Sequence, residues 1–455
     1  MASVFARLAL LPDGWQRDVR ISFSDGLIEG VSRQTKAQAQ DCLVDALLPA
    51  MPNLHSHTFQ RAMAGMTEQR GQSIDSFWTW RDLMYSFVQH LTPEDIEAIS
   101  AFAFMEMQEQ GFASCAEFHY LHHAAGGKPY AKVSELAERI MSAASTTGMG
   151  LTLLPVLYSY AGLGHKLLGE NQKRFKNSMT EYLKLREGAE MALRQNMPTD
   201  ARIGVAPHSL RAVASEDLKE LSRLFPDVPF HIHIAEQTKE VDDVIAATGQ
   251  RPVEWLLNNF HVNHSWCLVH ATHMNLAEAV QLASSGAVAG LCPITEANLG
   301  DGIFDGKAFI ATKGTFGIGT DSNISISVGD ELRMLEYSHR LRERERNVLA
   351  MGQGSTGISL YTRALTGGAQ ALGRNCGTIV KGQLADLIAI NSNDTQLMAL
   401  KPDQLIDGWI FATSHNVVAD LWSAGRHCVI EGQHIKRHEI ESAYRKTIER
   451  LTALL

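Results

Sequence analysis

His55 and His57 stand one residue apart at the end of an apolar run, in "ALLPAMPNLHSH". In an extended strand, residues i and i+2 project from the same face. The two imidazoles would therefore point together, as two ligands of one ion must. Side chains of the same kind recur along the chain. "FHIHIAEQ" carries His231 and His233 and then Glu236, "CLVHATH" carries His270, and "GIGTDSN" ends in Asp321. A lone histidine beside an apolar strand is more often a packed core residue than a ligand. Four strand-like runs that all end in imidazoles or carboxylates are better explained by a metal-binding active site.

The elements that would carry these residues alternate. "TPEDIEAISAFAFMEMQEQG" reads as a helix, with Thr92 a candidate N-cap and Gly111 a stop. The helical patterns "KVSELAERIMSAASTTG", "SMTEYLKLREGAEMALRQ" and "SEDLKELSRLF" separate the apolar runs "FASCAEFHY", "LTLLPVLYS", "ARIGVAPHS" and "VPFHIHIAE". With "ALLPAMPNLHSH", "SWCLVHATH", "AVAGLCPI" and "TFGIGTDSN" there are eight strand candidates. Repeated β-α units with continuous apolar strands imply a parallel sheet, and eight of them fit a (β/α)8 barrel of the TIM type. In such a barrel the C-terminal strand ends form the active-site face, which is where the histidines and acids fall. The two ends of the chain read differently. "DVRISFSDGLIEGV" is a hairpin pattern around Asp-Gly, and "GTIVKGQLADLIAIN" and "LWSAGRHCVIEGQHI" are short β-rich runs punctuated by glycine. They suggest one small β domain built from both termini, residues 1–47 and 375–455 with a C-terminal helix, around a barrel at 48–374.

Bulk composition narrows the partners. The chain has 455 residues, 45% hydrophobic and 20% charged, and a formal net charge of −9. That argues against nucleic acid or an anionic membrane as the main partner, though a pocket can be locally basic. No apolar run approaches a membrane span. Six scattered cysteines form no C-x-x-C pair, so a reducing cytoplasm is expected.

The motif set resembles the amidohydrolase superfamily: H-x-H after the first strand, His after the fifth and sixth, Asp after the eighth. "TRALTGGAQALGRNCGTI" and "GTIVKGQLADLIAI" resemble the family's last helix and its return to the β domain. The resemblance covers nearly the whole chain and implies a metal-dependent hydrolase: an α/β protein with a (β/α)8 barrel and a small β-sandwich domain. The fourth strand, "ARIGVAPHS", has no lysine to bridge two metals, and "HIAE" resembles the His-x-x-Glu of the cytosine, guanine and S-adenosylhomocysteine deaminase branch. That implies one divalent ion, bound by His55, His57, His233 and Asp321, with His231 left to support the ligands from behind or to packing. Zinc suits these ligands, with iron and manganese as alternatives. Asp321 would also accept a proton from the water, His270 would hold and polarise the attacking hydroxide, and Glu236 would protonate the departing nitrogen.

The stretches "HTFQRAMAG", "WTWRDLMY", "CAEFHYLHH", "APHSLRAV" and "CPITEANLGDG" make the resemblance most specific for the members that hydrolyse N-formimino-L-glutamate to N-formyl-L-glutamate and ammonia, a step of histidine degradation. Such a substrate carries two carboxylates and needs forked basic groups. Arg211 and Arg81 are the candidates, with Gln60, Tyr120 and His208 placed to orient the amidine and carboxylates. Two rivals remain. One is a deaminase or chlorohydrolase of the same branch acting on a purine, pyrimidine or triazine, with Trp78 and Trp80 stacking on the ring. The other is a non-catalytic metal-dependent binding protein, which would have lost one of Glu236, His270 or Asp321. A homodimer is the expected assembly.

Overall fold

Eight short strands run parallel in chain order: Met51–Ser56, Phe112–His119, Gly150–Leu157, Arg202–Ile203 with Ala206–Pro207, Phe230–Ile234, Trp266–His270, Val288–Leu291 and Thr315–Ile318. The structure is a computed structural model that describes residues 2–70, 75–350 and 352–454. Almost every strand residue is buried, as expected where helices cover the outside of a parallel sheet. Two parallel sheets hold these strands. Isolated bridges Val205–Phe230 and Ser209–His233 join the fourth strand to the fifth, and Ser56–Asp321 joins the eighth to the first. The barrel is thereby closed.

The sequence pattern suggests one fourth strand across "ARIGVAPHS", but the ladder breaks at Gly204. A Cβ there would lie 2.4 Å from the carbonyl oxygen of Pro229 and 2.5 Å from Leu154. The fifth strand approaches so closely that only glycine fits, and the strand bends there while the N–H groups of Gly204 and Val205 still donate to the carbonyls of Leu153 and Pro229 at 2.9 and 2.8 Å. The helix after the first strand, Pro93–Glu109, begins as its sequence indicates. Thr92 Oγ1 accepts from the backbone of Asp95, and the Asp95 carboxylate accepts from the backbone of Thr92. This reciprocal pair satisfies two otherwise unpartnered N–H groups. Between the first strand and this helix lies an aromatic insertion, helix Phe77–Phe87, capped by Ser76. Fully buried Arg174 anchors its far end, donating to the carbonyl oxygens of Val88 and His123.

Both termini build one eight-stranded sheet. Its order is Gln433–His434, Arg426–Ile430, Val418–Ser423, Leu387–Ile390, Cys42–Pro49, Ala2–Leu11, Gly14–Ser24 and Leu27–Ser32. Asp25 and Gly26 turn the last hairpin with φ of 52° and 82°, the left-handed pair that matches strand twist. The halves of the domain meet where Leu387–Ile390 pairs antiparallel with Cys42–Pro49. The C-terminal helix Arg437–Thr452 returns to the barrel, and Tyr444 stacks on Phe102 at 3.9 Å. Among the described residues no helix is long and apolar enough to cross a membrane.

One buried ionic cluster ties barrel to sheet. Arg374 donates to Asp200 Oδ2 at 3.0 Å and to Asp386 Oδ2 at 3.3 Å, and Arg426 grips both oxygens of Asp200 at 2.9 Å. Removing one member of a buried ion pair strands the others and typically costs about 3–5 kcal/mol. Arg374→Met should lower the unfolding free energy by about that much in urea titration, with the metal content of the folded fraction unchanged.

Candidate active site

The left-handed turns at the barrel mouth aim the functional side chains inward. Ala235, His270 and Asp321 have φ of 52°, 67° and 45°, a strained conformation for residues with a Cβ. Backbone pairing holds Asp321 there: its N–H donates to the carbonyl of His55 at 2.9 Å, and its carbonyl accepts from His57 at 2.9 Å. Asn323 reinforces the seam by donating to the carbonyls of His57 and Asp321, both at 3.1 Å.

His55, His57, His233 and Asp321 converge with one ligand atom each, all within 4.8 Å of one another. His57 Nδ1 donates to the carbonyl of Phe118 at 2.9 Å, and His233 Nδ1 to the carbonyl of His208 at 3.1 Å. With Nδ1 so committed, both Nε2 lone pairs face inward. His55 Nε2 lies 3.1 Å from His233 Nε2 and 3.4 Å from Asp321 Oδ1, and His57 Nε2 lies 3.3 Å from the same oxygen. Donors bonded at about 2.0–2.1 Å to one shared ion would stand at separations of this order. Burial holds His55 down to about 3 and lowers His57 and His233 as well, so all three imidazoles are neutral, as ligands must be. Burial opposes charge on Asp321, yet the surrounding imidazoles keep its carboxyl below the ordinary carboxylate range. The donor set fits a divalent ion. His231 points elsewhere, with Nε2 on the carbonyl of Ala371 at 2.8 Å, the packing role expected of it.

A small cavity, partly open to solvent, covers this cluster. His57, Gln60, Arg81, Tyr120, His208, Arg211, His233, Glu236, His270 and Asp321 all line it, while His55 lies buried behind. Thus the candidate catalytic, metal-ligating and substrate-binding residues lie together, whereas His231 does not join them and Trp78 does not line the cavity. Glu236 Oε1 stands 3.7 Å from His270 Nε2, and Asp321 Oδ2 lies 3.8 Å from the same nitrogen. Burial raises Glu236 to about 7. His270 is pulled down by burial but raised to about 10 by Glu236, Glu296 and Asp321.

Several contributors escaped sequence reasoning. Glu296 Oε1 accepts from the backbone of Cys292 at 2.9 Å and faces His270 Nδ1 at 3.3 Å, so it orients that ring. Glu240 accepts from the backbones of Ala235 and Glu236 at 3.0 and 3.3 Å and fixes the turn that presents Glu236. In sequence both read as ordinary acids in a helix's first turn. Tyr85 and Tyr158 also line the cavity, and nothing in their spacing marks them.

Arg81 and Arg211 form no ion pair among the described residues, and the Nε of each is buried without a partner. Their guanidinium carbons sit 4.5 and 5.8 Å from the ring centre of Trp78. The buried acids Glu240 and Glu236 stabilise the charge of Arg211 through space, yet with no direct ion pair among the described residues the guanidinium groups are free to take further acceptors.

The family model for the amidohydrolase family matches residues 46–428. The chain belongs to the amidohydrolase family. A second family model, for the N-terminal domain of the formimidoylglutamate deiminase HutF, matches residues 1–44. A formimidoylglutamate deiminase of Pseudomonas aeruginosa is 49% identical over 440 residues, covering 95% of this chain and 96% of its own. A 5-methylthioadenosine/S-adenosylhomocysteine deaminase of Natronomonas pharaonis is 28% identical over 87% of this chain and 82% of its own. The crystal structure of an amidohydrolase from Brucella melitensis superposes with a TM-score of 0.95 at 48% identity, covering 99% of this chain and all of the other.

As in other members of this metal-dependent family, ion binding should support the fold, because an ion held by the native state alone stabilises it by mass action. Dialysis against a chelator should release one divalent ion per chain, abolish hydrolysis and lower the melting temperature. Zinc should restore both. Metal analysis with calorimetry checks the stoichiometry and the shift.

Proposed function

We propose that this amidohydrolase hydrolyses N-formimino-L-glutamate to N-formyl-L-glutamate and ammonia, as in histidine degradation. The observation that carries the reading is the pair of arginines, Arg81 and Arg211, each with a buried Nε that lacks a partner, in the same cavity as the His–Asp cluster and Glu236. A dicarboxylate would satisfy both cations, whereas a flat neutral ring would leave them buried and unpaired at a cost. The strong match to a formimidoylglutamate deiminase across nearly the full chain supports the same substrate.

His55, His57, His233 and Asp321 would hold one ion, for which zinc is our choice because three imidazoles and a carboxylate suit it. When bound, such an ion lowers the pKa of water to about 7 and so supplies a nucleophile at neutral pH. The chain's own groups handle the protons. Asp321 Oδ1 faces the imidazoles of His55 and His57, so Oδ2, turned toward His270, takes the proton from water. His270, held by Glu296, donates from Nε2 to the oxygen as it adds to the formimino carbon. Glu236, balanced near neutrality by burial, gives its proton to the departing nitrogen. As the C–N bond breaks, the hydroxyl proton left on the former water oxygen passes to the Glu236 carboxylate, the C=O of the N-formyl product forms, and ammonia leaves. Gln60, whose Nε2 donates to Tyr120 at 2.9 Å and whose Oε1 is unpartnered, can accept from the amidine N–H, with His208 beside it. All six cysteines are free thiols, which suits a cytoplasmic enzyme.

Glu236→Gln keeps the shape and loses the proton. It should cut kcat by about 10² to 10⁴-fold while ion content stays normal. Near-full turnover in a metal-replete variant would require another proton carrier. Arg211→Met should raise KM for N-formimino-L-glutamate by about 30-fold or more, since truncating a charged partner costs roughly 2–5 kcal/mol. The same change should matter far less for a small neutral amidine, and steady-state kinetics on both compounds decides.

A further inference from the structure

Behind the arginines lies a polar trio that the reaction scheme leaves unused. Tyr85 comes from the aromatic insertion, Tyr158 follows the third barrel strand, and Gln172 lies in the 3-10 turn Glu170–Phe175. Gln172 Nε2 is 3.2 Å from the hydroxyl of Tyr85 and 3.2 Å from that of Tyr158. The orientation of its amide is fixed, because Oε1 accepts from the backbone N–H of Gly169 at 3.1 Å. The nitrogen must therefore face the phenols, and each of its two hydrogens can go to one hydroxyl oxygen.

That arrangement decides where the phenolic hydrogens go. Both hydroxyl oxygens already accept from Gln172. They lie 3.4 Å apart, so one can donate weakly to the other, but they cannot both donate to each other. Among the described residues neither hydroxyl has a further partner, and both tyrosines line the cavity. At least one O–H is left without a protein acceptor beside Arg81, whose guanidinium carbon is 5.4 Å from the ring centre of Tyr85. A buried donor without an acceptor is costly, and a bound carboxylate oxygen would relieve it.

We propose that Gln172 is a positioning residue for substrate selection: it turns the hydroxyls of Tyr85 and Tyr158 into donors for one substrate carboxylate, next to the arginines. This rests on the dicarboxylate reading of the substrate. Burial pushes the Tyr85 phenol well above its ordinary value, so it keeps its proton under working conditions.

The test uses the metal-replete enzyme and two substrates, N-formimino-L-glutamate and a small neutral amidine. Gln172→Glu keeps the acceptor for Gly169 but replaces the donor with an acceptor. Gln172→Leu removes both without adding charge. Tyr85→Phe/Tyr158→Phe deletes the donors and keeps the rings. Each should raise KM for formimino-glutamate by about ten- to a hundredfold, the loss typical of a hydrogen bond to a charged group. kcat at saturation should stay within about threefold, and kcat/KM on the neutral amidine should hold. In the double phenylalanine background, Gln172→Leu should add nothing, because its effect passes through the phenols. Unchanged KM, equal losses on both substrates, or additive losses would overturn the proposal. The double phenylalanine variant alone suffices if the Gln172 variants fail to fold, since unchanged KM there is decisive. A wild-type enzyme that does not prefer formimino-glutamate to the neutral amidine would instead defeat the substrate reading itself.

Discussion

The carboxylate of Asp321 is buried among three histidines at the seam where the barrel closes, and much of the molecule follows from making that position tenable. A carboxylate out of water is expensive unless charge and hydrogen bonds replace its hydration. Here the compensation is convergent nitrogen donors and a place for a cation. Closure must bring the eighth strand against the first with little tolerance. Gly319 makes this possible, because a Cβ there would stand 2.7 Å from the carbonyl oxygen of His55. Gly317 faces Leu54 and the backbone of Gly368 as closely, at 2.5 and 2.7 Å. The glycines let strands and the helix Thr356–Leu372 approach until the ligands of different strands meet.

Around this centre each mobile catalytic group is held by one that does no chemistry. Glu296 orients His270, and Glu240 fixes the turn under Glu236. Asn53 bonds Thr320 in both directions, donating to Oγ1 at 2.7 Å and accepting from the backbone at 3.1 Å, so strand one and strand eight keep register next to the ligands. Preorganisation of this kind matters because proton transfers depend on hydrogen-bond reach. The left-handed residues at the strand ends carry strain that these bonds offset.

Substrate selection sits on a different element. The aromatic insertion brings Trp80, Arg81 and Tyr85 to the cavity, while Arg211 and Tyr158 arrive from the barrel. Two guanidinium groups near one indole would repel each other, and cation–π contact with Trp78 eases that only partly.

The sequence by itself determined the local elements and the donor types. Alternation of apolar strands with capped helices is a period signal that each segment carries alone, which is why Thr92, the Asp25–Gly26 turn and the strand ends at His55, His233, His270 and Asp321 were legible. Arg211 was legible because a charge beside a strand end is visible in one dimension, and Arg81 because it stands in an aromatic-rich insertion after the first strand. Other features required the tertiary structure. The break at Gly204 comes from a neighbouring strand that approaches within 2.4 Å of a would-be Cβ. Glu240 and Glu296 look like first-turn acids until the fold sets a backbone amide and an imidazole against them. The link among Tyr85, Tyr158 and Gln172 joins three elements separated by up to 87 positions. Local propensity records what a segment prefers, but hydrogen-bond partners distant in the chain exist only once packing has brought them within about 3 Å.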